Sequence, residues 1–586
     1  MLQRFLVLLP LAASAAAQTC PSTPIYSTCD LSFEITEQEA AQHPNPYLTV
    51  NLHGEFRSPR HRTHTILGYW DGGRRYIVRY SPTDPGNFDF RVTSNIASLN
   101  GKMGNFTATA SENPGFLQPD NVHAFSYTET RTAHLWMGDT ILDFATMDAA
   151  AFERLAAARS KQNFNHVRGL VIPNEVSKAF LNPETPNHPY FQELDRRVKL
   201  LNSRGIFADL ILAPTPEHLL KLLPQFQHRE RLSRYLVARY GAAMITWQGV
   251  AAFEDSIDGR KLLNDLNTLI QRFDAFHHPR STGSAATSAP LLSDGWMNFV
   301  TYGSDAVPTG AIERQILRAP LVQTAVTGEP EAFVKRLWNT SMSGQYQTVI
   351  LGESEVEGPR AKAMTAWYDF FSDTRFWELD PFFEIDNGRG LSLDGIEYIV
   401  FLETPGPVEL VTERKTYQVY WFNPFTGDYI QDKKNFKGEK FSGSPPDTSH
   451  PWVLHLSRDG RKHSMAKSWK FESRRVVKQV VEGSPPKIPY LVELPVSDEI
   501  PAAKPIPFRV KLTKETRASK AMQYLWTAEA TADGQGYRVL ATTAEGEFTI
   551  PVSIARSFPA VVNLRVQGIN GNGKVYSLDR VIKVTR

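Results

Sequence analysis

Cysteine is almost absent. The chain of 586 residues has two, Cys20 and Cys29. Two thiols are too few for a metal cluster, and the fold cannot rest on a disulfide framework. A single bridge between them, pinning the N-terminal end in an oxidising compartment, is the reading that remains. Long apolar runs are missing too: after the N-terminal segment no stretch of eighteen apolar residues occurs, so no membrane partner is expected once that segment is removed. Charge of one sign is scarce as well. Sixty-four Lys and Arg against 62 Asp and Glu leave a net +2. Without a basic field a nucleic acid is not expected as a partner, and runs such as Arg57-Ser58-Pro59-Arg60 read as solvated loops. His277 and His278 have no third ligand at zinc-like spacing, so neither a metal nor another cofactor is expected.

What is present is a globular composition, 41% hydrophobic and 22% charged, long enough for three or four domains. Arg4 gives a positive start, Phe5 to Ala13 is apolar, and Ala15-Ala16-Ala17 offers a small-residue cleavage site. Residues 1–17 therefore read as a signal peptide cut after Ala17, which places the mature protein outside the cell or in the periplasm.

Four sections follow. Residues 31–120 alternate as a β-sandwich does, with strands at Tyr47–Leu52, Thr65–Trp70, Arg75–Tyr80 and Phe88–Val92 and no helical period. Residues 121–385 alternate short apolar strands with amphipathic helices. The strands are Ala133–Met137, Asn163–Arg168, Ile206–Leu212, Ala243–Gln248, His278–Arg280, Met297–Tyr302, Pro320–Thr324 and Tyr346–Ile350. Eight such repeats fit a (β/α)8 TIM barrel, whose usual length is about 250 residues; a doubly wound sheet is the alternative. Residues 386–480 form a small β domain after the Asn387-Gly388 break, and 489–586 an immunoglobulin-like sandwich after Ser484-Pro485-Pro486. The fold class is thus multidomain, a central barrel flanked by β-sandwich domains.

Asn45-Pro46-Tyr47, Gly68-Tyr69-Trp70-Asp71-Gly72 and Gly86-Asn87-Phe88-Asp89-Phe90 resemble the DUF5060 domain, which often precedes a glycosidase barrel. Leu135-Trp136-Met137-Gly138-Asp139-Thr140, Thr246-Trp247-Gln248, Pro279-Arg280-Ser281-Thr282 and Trp338-Asn339 resemble the DUF4038-type glycoside hydrolases. Tyr420 to Gly427 and Trp452-Val453-Leu454-His455 resemble the collagen-binding-type β domain found behind such barrels. The resemblance implies an acid/base Glu preceded by Asn after strand four, and a nucleophile Glu ending strand seven. Counted from Trp247, the first pair falls on Ala251 and Ala252; the Pro-Val-x-Asn-x-Glu pattern starting at Pro320 ends on Ala325. Alanine has neither a proton to give nor a lone pair with which to attack.

Three carboxylates at C-terminal strand ends are the catalytic candidates: Glu254, Glu329 and Glu353. Each also reads as an ordinary acid at a helix start. The candidate saccharide rim is His166, Arg168, Trp247, His278, Trp296, Tyr302 and Trp338, because aromatic faces stack on sugars while His and Arg meet hydroxyls. Asp139 reads as structural, holding the loop after strand one. Two functions compete: a glycoside hydrolase with displaced acids, and a non-catalytic protein that binds oligo- or polysaccharide on a degenerate hydrolase barrel.

Overall fold

The structure, a computed structural model, describes residues 20–586 apart from 21, 121, 305, 462–476, 496–498, 515–518, 520–521 and 532–535. Residues 1–17, read above as a signal peptide, lie outside the described residues. Among those described, no helix is long and apolar enough to cross a membrane. Cys20 and Cys29 are joined by a disulfide, their Cα atoms 5.8 Å apart.

The N-terminal unit runs to Asn113 and takes in Arg234–Ala243. Its strands run in the order Thr23–Pro24, Met103–Thr109, Gly86–Ser94, Leu52–Arg57, Thr63–Trp70, Arg75–Tyr80, Cys29–Glu34. Alternate residues turn inward, so Phe56 stacks on Tyr80 and Phe88 on Phe106 in the core. The expected strand at Tyr47–Leu52 is corrected: Pro46–Thr49 is a short helix and the strand starts at Leu52. Pro46 occupies the first helical turn, where its missing N–H goes unneeded. Glu37–Ala41 is a second short helix, opened by a Thr36–Glu39 capping box.

In the second unit the barrel strands, one to eight, are Met137–Thr140, His166–Leu170, Phe207–Ala213, Ile245–Val250, Arg280–Ser281, Val300–Tyr302, Leu321–Val326 and Tyr346–Val349. All described pairings among them are parallel. The sheet order five-four-three-two-one-eight-seven-six leaves strands five and six as neighbours without a ladder. Asn298 N to Arg280 O at 3.0 Å bridges that seam. Strand one lies later than expected because Ala133–His134 joins Leu117–Asp120 and Ala124–Tyr127 in a separate small sheet. Phe125 of that sheet packs on Trp136, Phe299 and Tyr346 and closes the N-terminal end of the barrel. Gly138 permits the close packing of the interior, since a Cβ there would lie 2.7 Å from Thr348 Oγ1.

Seven strands between Asp380 and Ser457 form the next sheet, in which Val408–Phe422 pairs with three others. The last section is two sheets, one built on Gln523–Ala530, Ala560–Ile569 and Val575–Thr585, the other on Tyr490–Glu493, Pro505–Leu512 and Glu545–Thr549. Trp526, Phe508 and Phe548 fill the space between them.

Candidate functional site

Parallel strands in register place like-facing residues side by side, so the barrel interior can be followed residue by residue. Tyr127 Oη bonds His134 Nδ1 at 2.6 Å, and His134 Nε2 meets His166 Nε2 at 2.9 Å. His166 Nδ1 meets Asp209 Oδ1 at 2.9 Å, an oxygen that also accepts from Thr246 Oγ1 at 2.8 Å. His166 lies stacked between Trp136 and Phe207. Burial drives both imidazoles well below their ordinary pKa and the Asp209 carboxyl well above its own, against the Thr246 bond and the nearby Arg168 charge. These shifts favour an uncharged chain of hydrogen bonds through the barrel, a device that specifies one packing of the interior. His166 is therefore enclosed in the core and not on a rim.

Arg168, two residues nearer the C-terminal end, donates from Nε to Gln248 Oε1 at 2.6 Å. Burial brings its guanidinium down to about 10, with Asp209 opposing. Of the expected rim, Arg168 is the side chain that the alternation turns inward toward the strand ends.

The remaining rim candidates lie elsewhere. Trp247, between inward-facing Thr246 and Gln248, points outward and donates to Asp274 Oδ2 at 3.1 Å, just past helix Gly259–Phe273. His278 precedes strand five and bonds the same Asp274, Nδ1 to Oδ1 at 3.0 Å. Trp296 donates to Asn264 Oδ1 at 2.7 Å. Trp338 is enclosed by Phe370, Phe371, Phe401 and Phe422. All four are at most 1% exposed, so none offers an open face to a ligand.

Tyr302 also turns outward, donating to Glu313 Oε2 at 2.6 Å, where Thr287 Oγ1 donates at 2.8 Å. Burial pushes the Glu313 carboxyl up to about 7 despite those two donors. A carboxyl raised in the folded state binds protons that the unfolded chain has released. Its contribution to stability is full below the unfolded pKa near 4.3 and declines until pH passes about 7. Thermal melts across this window should show Glu313→Gln with a flatter decline than the parent; an unchanged slope would mean that Glu313 does not govern it.

At the strand ends, the loops are laced by backbone. Ala251 N reaches Pro214 O at 3.2 Å, Gly283 N reaches Val250 O at 2.7 Å, and Phe253 N reaches Gly283 O at 3.2 Å. Ala251 and Ala252 are half-buried there. Glu254 is 6% exposed, its Oε2 accepting from Ala285 N at 2.9 Å. Arg538 of the C-terminal sandwich donates from Nη2 to the Glu254 main-chain oxygen at 2.7 Å. Burial raises the Glu254 carboxyl to about 7, the Ala285 N–H and the Arg538 charge opposing.

Ala325 is half-buried at the end of strand seven. Gln323 folds back there, its Oε1 accepting from Thr324 N at 2.8 Å and Ala325 N at 2.9 Å, its Nε2 donating to Ser304 O at 2.7 Å. Glu329 is exposed at the start of helix Pro330–Ser341, and Glu353 is exposed in the short helix Glu353–Glu355. Asp139 holds Leu351 N at 3.1 Å and Arg159 Nε at 2.8 Å, and so anchors the loop after strand eight.

Sequence reasoning missed Asp209, Glu313 and Arg538. Asp209 had a signal, a lone acid inside an apolar strand. Among the described residues no group of three or more His, Cys, Asp or Glu is placed to hold a metal. The two larger described cavities, about 450 and 420 Å³, have no wall residue at the C-terminal strand ends. The chemistry expected of such a barrel belongs to those ends, so the cavities are a separate matter.

Residues 22–95 match the profile of DUF5060, a domain of unknown function, and residues 120–371 match that of an apiosidase-like catalytic domain. No curated protein matches the chain. A Bacteroides vulgatus protein described as a glycoside hydrolase is 19% identical, over 75% of this chain and all of its own, with a TM-score of 0.64. A glycoside hydrolase family 5 structure, also from Bacteroides vulgatus, is 13% identical over 61% of this chain and 96% of its own, with a TM-score of 0.52. The chain thus carries a DUF5060-like domain ahead of a barrel with the fold of glycoside hydrolases.

Proposed function

We propose that this is an exported glycoside-hydrolase-like protein that holds a saccharide at the C-terminal end of its barrel, with the two catalytic stations of DUF4038-type relatives vacant. The observation that carries this reading is the pair of half-buried alanines, Ala252 and Ala325, at the ends of strands four and seven. Hydrolysis with retention uses two carboxyls about 5 Å apart, and inversion places them about 6.5–9.5 Å apart. A methyl group at each station supplies neither. Arg168, turned inward below these ends and held by Gln248 Oε1, is suited to sugar hydroxyls. The apiosidase-like match makes branched-pentose glycosides the first ligands to try. The β domain at 386–480, collagen-binding-type by resemblance, is read as scaffold.

A second reading keeps hydrolysis, with Glu254 as the acid and Glu329 or Glu353 as its partner. One observation favours it: a carboxyl raised to about 7 keeps its proton on about half of the molecules near neutral pH, as a general acid needs. Turnover of a glycan panel by the parent and by Glu254→Gln separates the two. Displaced-acid hydrolysis expects the variant to lose about a hundredfold or more in turnover with binding kept. The binding reading expects no turnover from either protein and equal affinity from both; a parent that cleaves any glycan sinks it.

A further inference from the structure

We propose a second saccharide site, for a neutral oligosaccharide, in the cavity of about 450 Å³ where barrel helices meet the β domain and the C-terminal sandwich. Its apolar lining includes Phe383, Met342 and Met522. Its polar lining comes from three separate parts of the chain: Asn339 from helix Pro330–Ser341, Arg389 and Glu403 from the β domain, and Gln523 from the first strand position of the sandwich.

These groups already engage one another. Asn339 Nδ2 donates to Glu403 Oε2 at 2.8 Å, and Arg389 Nη1 donates to Gln523 Oε1 at 3.4 Å. Asn339 Oδ1 is enclosed without a hydrogen-bond partner among the described residues. A buried acceptor in that state is satisfied by an incoming hydroxyl donor. The Arg389 charge acts on Glu403, so the lining offers one cation and one anion in balance. Such a lining gives no net attraction to a charged ligand. Planar amide, carboxylate and guanidinium groups beside an aromatic ring match a sugar, which carries hydroxyls on its edges and C–H groups on its faces.

Gly388, also in the lining, has φ +89°, and a Cβ there would lie 2.4 Å from Phe401 O, so glycine is what this position accepts. Asn387 is fixed by donating to Pro407 O at 3.1 Å. None of these residues belongs to the barrel mouth, so this site stands or falls separately from the proposed function.

The test is calorimetric titration of the full chain with short xylo-, manno- and cello-oligosaccharides, and with oligogalacturonate as the charged probe. Two variants address the cavity. Arg389→Ala removes a polar wall. Thr404→Trp fills the opening from an exposed position on the lining, so it should fold even if Arg389→Ala does not; equal melting temperatures check this. Arg168→Ala addresses the barrel mouth. The expected result is a binding event for a neutral oligomer that each folded cavity variant weakens by at least about tenfold, that Arg168→Ala leaves in place, and that oligogalacturonate does not reproduce. If no oligomer binds, or if every binding event survives Thr404→Trp, the cavity is not a saccharide site. Binding lost with Arg168→Ala alone would overturn this site while leaving the mouth reading intact. Preference for oligogalacturonate would overturn the assignment of a neutral ligand.

Discussion

Asp139→Ala should cost about 3–5 kcal/mol of stability, the range for breaking a buried ion pair by removing one partner. Asp139 and Arg159 are both fully buried, joined at 2.8 Å. Burial raises the Asp139 carboxyl in spite of Arg159, so the pair itself is no strong source of stability. The cost comes from what is left behind. Arg159 would remain enclosed with only neutral partners: Gln162 Oε1 at 2.9 Å, Gly352 O at 3.2 Å and Glu355 O at 3.3 Å. Leu351 N would lose its acceptor as well. Urea unfolding measures the loss. The double variant Asp139→Leu with Arg159→Met should lose less than the two single variants added together, because no orphan charge remains. A loss below about 1 kcal/mol for Asp139→Ala, or simple additivity, would show that this pair does not anchor the strand-eight loop.

The largest functional effect follows from the proposed binding reading. On that reading the triple replacement Ala251→Asn, Ala252→Glu and Ala325→Glu should give measurable hydrolysis where the parent gives none. A positioned general acid typically contributes about 10²–10⁴-fold, and a carboxylate nucleophile provides the covalent route. All three positions are half-buried and not sealed, so longer side chains have room to reach solvent or substrate. Melting curves would confirm folding. A folded triple variant that binds sugar and cleaves none of the panel would refute the assignment of Ala252 and Ala325 to the two stations.

Much of the architecture was legible because burial writes itself into period. Helix Gly259–Phe273 shows such a period, its apolar side carried by Leu262, Leu263, Leu266, Leu269 and Ile270. Eight short apolar strands in about 260 residues gave the barrel. The first strand was displaced because one apolar run, Ala133 to Met137, serves two elements: a hairpin sheet at its start and the barrel at its end. The site was less legible, for a reason visible at Trp247. Chain position locates a residue at a strand end, but the face it takes depends on the parity of the whole strand. Thr246 and Gln248 take the interior, and Trp247 must take the outside. Trp296, Tyr302 and Trp338 point to a sugar only through their rings, and a ring is as useful in a core as on a rim. Arg538 had no local signal at all. Its contact with Glu254 joins residues 284 positions apart and exists only once the sandwich is in place.

The final strand, Val575–Thr585, pairs along its length with Ala560–Ile569 and also runs parallel to Val481–Glu482 and Glu499–Pro501. One strand thus holds three separate segments of the chain in the same sheet. Losing it would bare an edge on each of them at once, and bare edges are surfaces on which one copy of the chain can pair with another.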